Sequence, residues 1–400
     1  MGIRLSLTFL ALMIVMVSCG KKVNPTSRKP LAEAEISYLL IEKQCSGNTS
    51  NYEPVSTEIV KVYNEFQNNN IFGIYNVPVR LYDFKNPLII NIEDMEKQLV
   101  KTKAQILLAQ TSPELLNTAS EEIFYLYQNA MRFEGQKCSF SQMTRKKNQD
   151  VKPYLEMLDF CTEKNGDGLC SSETIMNLST AESKFVEEKT IKLCKAFDSS
   201  DVNCQAQFNI HRMNKTIPTL VALYQKKFEA ERYNKMFTLR DSHLKYQCQK
   251  NEDVTTMTVK IYSQHLDVIT LNFLLKSVSE SWTRGNFRLN LEVSDQPGSD
   301  VVEILPSTTG VSYVPDNNNR KVFLSTILDI ESLKKVLAHE FGHVLGFPDC
   351  YTEFFDNQNK DLVYYEISKE NTNIMCSLKS GVSVPDDYIS QLAQNSCVFN

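Results

Sequence analysis

Two histidines and a glutamate stand close together late in the chain, in the run His339-Glu340-Phe341-Gly342-His343-Val344-Leu345-Gly346-Phe347-Pro348-Asp349. Four residues apart on a helix, His339 and His343 lie one turn above each other on one face, so their rings can meet at one metal ion. Glu340 projects from nearly the same face, beside the place of a water on that ion. Gly346 can turn left-handed without steric cost, which lets the chain reverse and carry Asp349 to the same ion. Three protein ligands with one open position is the arrangement of catalytic zinc, whereas structural zinc is closed by four. The chemistry this predicts is hydrolysis by water activated on a single Zn2+, with Glu340 as general base. Glu340 also shares a helical stripe with Val336, His343 and Phe347. A carboxylate on a core-facing stripe is costly unless it is paired or close to a metal.

The motif resembles that of the metzincin zinc proteases, whose consensus joins two helical histidines, a glycine and a third ligand. With Asp349 as third ligand it is closest to the small snapalysin-like neutral proteases. The resemblance covers about residues 252–400 and implies a zinc metalloendopeptidase acting on protein or peptide substrates. It also implies a methionine turn beneath the metal, matched by Asn373-Ile374-Met375-Cys376-Ser377 with Met375 as its methionine. An exposed edge strand, expected at 310–314, would align the substrate backbone by strand addition. One position departs from the family: Ser377 stands where many metzincins carry a tyrosine. Tyr351 is an alternative oxyanion donor, or a packing residue, which is the reading we favour. The competing reading is a catalytically silent lipoprotein of metzincin fold, acting as an envelope binding or structural module.

The elements that must position these residues follow from pattern. Residues 251–400 read as an α+β domain. Strands are expected at 255–262, 287–293, 301–305, 310–314 and 321–325, with a helix over 271–282 ended by Arg284-Gly285. A second helix is expected from Ile330 to Leu345, with Asp329 as N-cap and Gly346 as its stop. An irregular tail follows. Residues 31–250 read as a mainly helical region, with helical spacing at 92–109, 113–133, 183–197 and 217–235, and with 145–152 as a polar surface connection. That region could be a propeptide, a substrate-selecting domain or a membrane spacer. Trp282 is expected in the core. His211, His243 and His265 are isolated and read as surface or satisfied core residues.

The first residues set the compartment. Leu5 to Val17 is apolar, follows Arg4 and precedes Ser18-Cys19-Gly20. The run is short for a membrane span and reads as a secretory signal peptide over 1–18. Met16-Val17-Ser18-Cys19 resembles a bacterial lipobox, which implies lipidation of Cys19, a tether over 19–30 and attachment to the cell envelope. The outer membrane is the better candidate, since Gly20 is not an inner-membrane retention aspartate. Of eleven cysteines, ten remain after Cys19, an even number that suggests disulfides in an exported chain. Short spacing favours Cys161–Cys170 and Cys194–Cys204, and Cys350–Cys376 would close the loop below the metal site. Within the first of these loops, Glu163-Lys164-Asn165-Gly166-Asp167-Gly168 resembles a truncated Ca2+ loop, against the simpler reading of a disulfide-closed turn. The net charge of −5 with interspersed signs excludes the basic stripe of a nucleic-acid binder. Oligomeric state has no signature in the sequence.

Overall fold

The computed structural model describes residues 52–69, 83–109, 113–142, 151–198, 200–240, 244–307, 312–315, 318–325, 328, 330–367, 372–377 and 381–399. The signal segment, Cys19, the tether, His243 and Asp329 lie outside the described residues. The fold is mixed α+β: a helical first half, then a mixed sheet with interspersed helices.

The first half holds α1 (Pro54–Asn69), β1 (Leu88–Ile90), α2 (Ile92–Ala109), α3 (Pro113–Gln142), α4 (Val151–Asn165), α5 (Ser172–Met176), α6 (Thr180–Lys195), α7 (Asp201–Met213) and α8 (Ile217–Phe228). Helix α2 has the expected bounds. Helix α3 runs nine residues past the expected end at 133, and α4 begins at Val151, inside the stretch read as a connection. Local chemistry sets several starts. Ser179 and Glu182 form a reciprocal capping box at α6, satisfying backbone donors that the first turn leaves open. Ser200 caps α7 in the simpler way.

The second half begins with β2 (Tyr246–Asn251) and β3 (Val254–Ser263), followed by α9 (Val268–Trp282), β4 (Phe287–Val293), β5 (Val301–Ser307), β6 (Lys321–Ser325) and α10 (Ile330–Leu345). Strand β3 is central. Strand β4 lies parallel along 255–261, while β2 (antiparallel) and β5 (parallel) share its other edge, and β6 continues from β5. Beyond β6, Tyr313 forms an antiparallel bridge with Phe323. Of the strand expected at 310–314, residues 312–314 are therefore seen on the sheet edge, and 310–311 lie outside the described residues. One face of the sheet is buried, through Met257, Val259, Ile261, Leu289, Val302, Ile304 and Val322, against Leu274, Val278 and Trp282 of α9 and Leu337 and Phe341 of α10. The opposite face carries polar residues such as Lys260 and Asn290, the alternation of a sheet with one solvated side.

The expected irregular tail is ordered instead. Strands β7 (Tyr351–Asp356) and β8 (Asp361–Glu366) make an antiparallel hairpin, β1 adds to β8, and α11 (Asp386–Asn395) with β9 (Cys397–Phe399) ends the chain beside β2. The hairpin is covered on both faces by the helical half. Phe355 and Leu362 join a core with Phe133, Leu99 and Ile90. Tyr365 and Ile367, from the other face, join Tyr154, Leu155 and Phe228.

Disulfides link Cys161–Cys170 and Cys194–Cys204, as spacing suggested, Cys350–Cys376, as expected for closing the loop below the site, and Cys248–Cys397, which joins β2 to β9. Cys138 is also disulfide-bonded. This is the cysteine usage of an extracytoplasmic chain. No helix among the described residues is long and apolar enough to cross a membrane.

Candidate metal centre

Helix α10 presents His339, Glu340 and His343 on one side, with the two imidazole rings 5.0 Å apart and nearly perpendicular. Each ring is oriented through its Nδ1 by a backbone carbonyl. His339 bonds the carbonyl of Ile374 at 2.7 Å and His343 that of Phe347 at 2.8 Å. Both Nδ1 atoms are then donors, and the Nε2 lone pairs are left for a ligand, the tautomer seen in zinc-bound histidines.

The reversal that delivers the third group starts at Gly346, whose φ of 108° lies in the region open to glycine. The N–H groups of Gly346 and Phe347 both donate to the Gly342 carbonyl, closing the helix. The Phe347 ring then stacks between Trp282 at 5.7 Å and Tyr388 at 4.1 Å. Pinned there, the chain brings Asp349 Oδ1 to 3.2 Å from His339 Nε2 and 3.1 Å from His343 Nε2. One ligand atom from each residue falls within a 4.8 Å group that could hold a metal ion.

The donor set fits zinc on two counts. Two imidazole nitrogens and a carboxylate oxygen are its ordinary ligands, leaving a fourth position open. Glu340 Oε2 is also buried without a hydrogen-bond partner among the described residues, and Asp349 Oδ1 meets only the two imidazole nitrogens, an expensive condition for carboxylates that a cation at the point of convergence relieves. Asp349 keeps 35% of its side chain exposed, so the group is reached from solvent on the carboxylate side.

The charges are strongly coupled. Without a cation, burial opposes a charge on His343 but Asp349 and Glu340 beside it win and lift its pKa to about 9, so a metal ion would have to displace that proton from Nε2. Burial likewise opposes ionised Asp349, and the two imidazoles overcome it, holding the carboxyl far below its usual range. For Glu340 burial dominates and raises the pKa, with partial compensation from the histidines and a hydrogen bond from the Val314 backbone. A carboxylate pushed upward by burial holds a proton more readily than a solvated one.

Below the helix lies the turn of Met375, fully buried. Its register is fixed by the Asn373 side chain, which accepts from the Met375 N–H at 2.9 Å and donates to the Tyr388 hydroxyl at 3.4 Å. The Cys350 N–H donates to the Met375 carbonyl at 3.0 Å, and the Cys350–Cys376 disulfide ties the residue after Asp349 to the residue after Met375. Ser377 is buried. Tyr351 stands beside His339, ring centroids 6.3 Å apart, and against Tyr364 at 5.2 Å.

The expected residues therefore meet in one place. Sequence reasoning missed the groups that orient them: the carbonyls of Ile374 and Phe347, the Val314 N–H and the Asn373 amide. Three of these are backbone and carry no signature in residue type. The Asn373 position, two before the methionine in a turn, was the one legible signal. The remaining candidates do not gather. His211 bonds Thr216 locally. Asn165 donates to the Leu169 carbonyl and Asp167 accepts from the Leu169 N–H, so the proposed Ca2+ loop spends its polar groups on a disulfide-closed turn. No family model, curated protein or solved structure matches the chain.

Proposed function

We propose that the chain is a zinc-dependent endopeptidase of the metzincin type, held at the bacterial cell envelope by a lipid on Cys19. The observation that carries the reading is the convergence of His339, His343 and Asp349 beside the buried carboxylate of Glu340. A zinc ion bound there supplies Lewis-acid polarisation of the scissile carbonyl and a water acidic enough to attack near neutral pH. Glu340 takes the proton of the attacking water and delivers it to the leaving amine. Residues 312–315, extending the sheet beyond β6 with Val314 next to Glu340, supply the edge along which an extended peptide lies. The developing oxyanion would be carried by zinc, and Tyr351, whose ring stands beside His339, is the side chain whose hydroxyl could add a donor to it if it does more than pack. We assign catalysis to residues 251–400, and the anchor and tether to residues 1–30.

The test is metal analysis together with a broad peptide-library digest of the wild-type and Glu340→Ala proteins. One zinc per chain in both proteins, with cleavage by the wild type alone, is expected. Cleavage retained by Glu340→Ala refutes the assignment of the base. Zinc bound without turnover by the wild type favours the silent binding module.

A further inference from the structure

The helical half touches the half that carries the candidate site through a part-buried polar contact. Arg132, on α3, donates through Nε at 2.7 Å and through Nη2 to the same oxygen of Glu353 on β7. The other Glu353 oxygen is 3.4 Å from Gln136 Nε2. The two charged side chains are 20% and 15% exposed. The guanidinium also lies over the Tyr364 ring, 5.0 Å from its centroid.

Register explains why one arginine reaches both. Glu353 and Tyr364 are directly opposed across the hairpin, and Tyr351 opposes Glu366. Opposed residues share a face, as do residues two apart along a strand, so Tyr351, Glu353 and Tyr364 stand side by side. Tyr351 and Tyr364 are diagonal neighbours with rings 5.2 Å apart, and Tyr351 stands against His339. The face thus runs from Phe355, packed edge-on against Phe133, through the Arg132 clamp, to the tyrosine beside the first metal ligand.

Resting on the peptidase reading above, we propose that Arg132 is a positioning residue for this site. By gripping Glu353 and covering Tyr364, it fixes the face of the hairpin that sets Tyr351 beside His339 and Asp349. The helical half is then a standing wall of the catalytic unit and not a prosegment to be discarded. A planar fork that bonds a carboxylate while stacking on an aromatic face is a role lysine cannot fully take over. Without the clamp the hairpin keeps its apolar tip contacts and the Cys350–Cys376 bond at its base, but loses the side-chain tie that holds the Tyr351 face between them.

The test uses the full zinc-loaded chain, with Arg132→Met and Arg132→Lys compared with wild type. Hydrogen exchange is followed in 351–366 and in 330–345, and kcat and KM are measured on a short peptide. In Arg132→Met, amides of 351–356 should exchange about tenfold faster while 330–345 and the zinc stoichiometry stay as in wild type. The kcat should fall about tenfold with KM within about twofold, and Arg132→Lys should fall between the two. Hairpin protection and kcat equal to wild type would overturn the proposal. So would loosening of both segments together with loss of zinc, the mark of a general structural role. If Arg132→Met does not fold, Glu353→Gln, which keeps shape and one acceptor, is judged by the same readouts. A wild type that cleaves no peptide refutes the peptidase reading, and the exchange measurement still decides whether Arg132 holds the hairpin.

Discussion

Gly342 and Met375 face each other so closely that a Cβ on the glycine would overlap the methionine sulfur, and would also stand 2.9 Å from the Trp282 ring. The helix that carries His339 and His343 therefore rests directly on the turn of Met375, without a side chain between. In an open helix, alanine in place of glycine stabilises by about 0.5–1 kcal/mol. Here the overlap reverses the sign, because overpacking a dense core costs about 1–3 kcal/mol. Gly342→Ala should lower the urea midpoint with an unchanged m-value, and the zinc affinity should weaken as His339 is lifted from the Ile374 carbonyl. A stabilised Gly342→Ala protein would contradict this packing.

The disulfide between Cys350 and Cys376 gives a second prediction, because its two ends adjoin Asp349 and Met375. It closes a loop of sequence separation 26, so opening it should cost about 3 kcal/mol through the unfolded chain. The specific expectation concerns the metal. Without the link, the third ligand is held by the Cys350 N–H bond to the Met375 carbonyl and the stacked Phe347 ring. Cys350→Ala/Cys376→Ala should therefore surrender zinc to a chelator at least about tenfold faster than wild type, a lowering of the release barrier by about 1.4 kcal/mol. Cys194→Ala/Cys204→Ala, whose bridge lies in the helical half, is the control: its stability should fall while zinc release stays at the wild-type rate. Equal release from both double variants would show that the loss is global.

What could be read before the structure follows from where the information resides. The bounds of α2, β4 and β6 are those expected from pattern, and those of α10 from the Asp329 cap and the Gly346 stop, because each has an apolar stripe or alternation or clear ends. The centre was legible because its chemistry lies in five residues within one short run, and Gly346 announced the reversal that Asp349 needs. The β7–β8 hairpin was not, although Tyr351–Asp356 and Asp361–Glu366 are rich in aromatics. Acidic residues at 353, 356, 361 and 366 break its apolar period. One of them, Glu353, is stabilised by an arginine 221 positions earlier, which no local pattern can reveal. Helix α7 escaped notice for a related reason: only Cys204 and Phe208 of it are buried, too few to form a stripe. The strand β9, three residues long, is defined by its parallel pairing with β2 and by the Cys248–Cys397 bond, both long-range.

Tyr351 gives the sharpest test of the chemistry, since packing and catalysis predict different outcomes for one oxygen atom. The ring is held between His339 and Tyr364. Burial, then the negative charges of Asp349 and its neighbours, raises its pKa well above that of a free phenol. The group therefore remains a neutral donor around neutral pH. Tyr351→Phe keeps the ring and its stacking, so the urea midpoint and the zinc content should match wild type, with any stability change within about 0.5 kcal/mol. A donor used only as the oxyanion develops lowers kcat and kcat/KM together when removed. By comparison with the loss of a single oxyanion donor, the fall should be about tenfold to several hundredfold. A Tyr351→Phe protein with unchanged kcat would make the residue a packing partner, and the oxyanion would then depend on the metal and backbone donors.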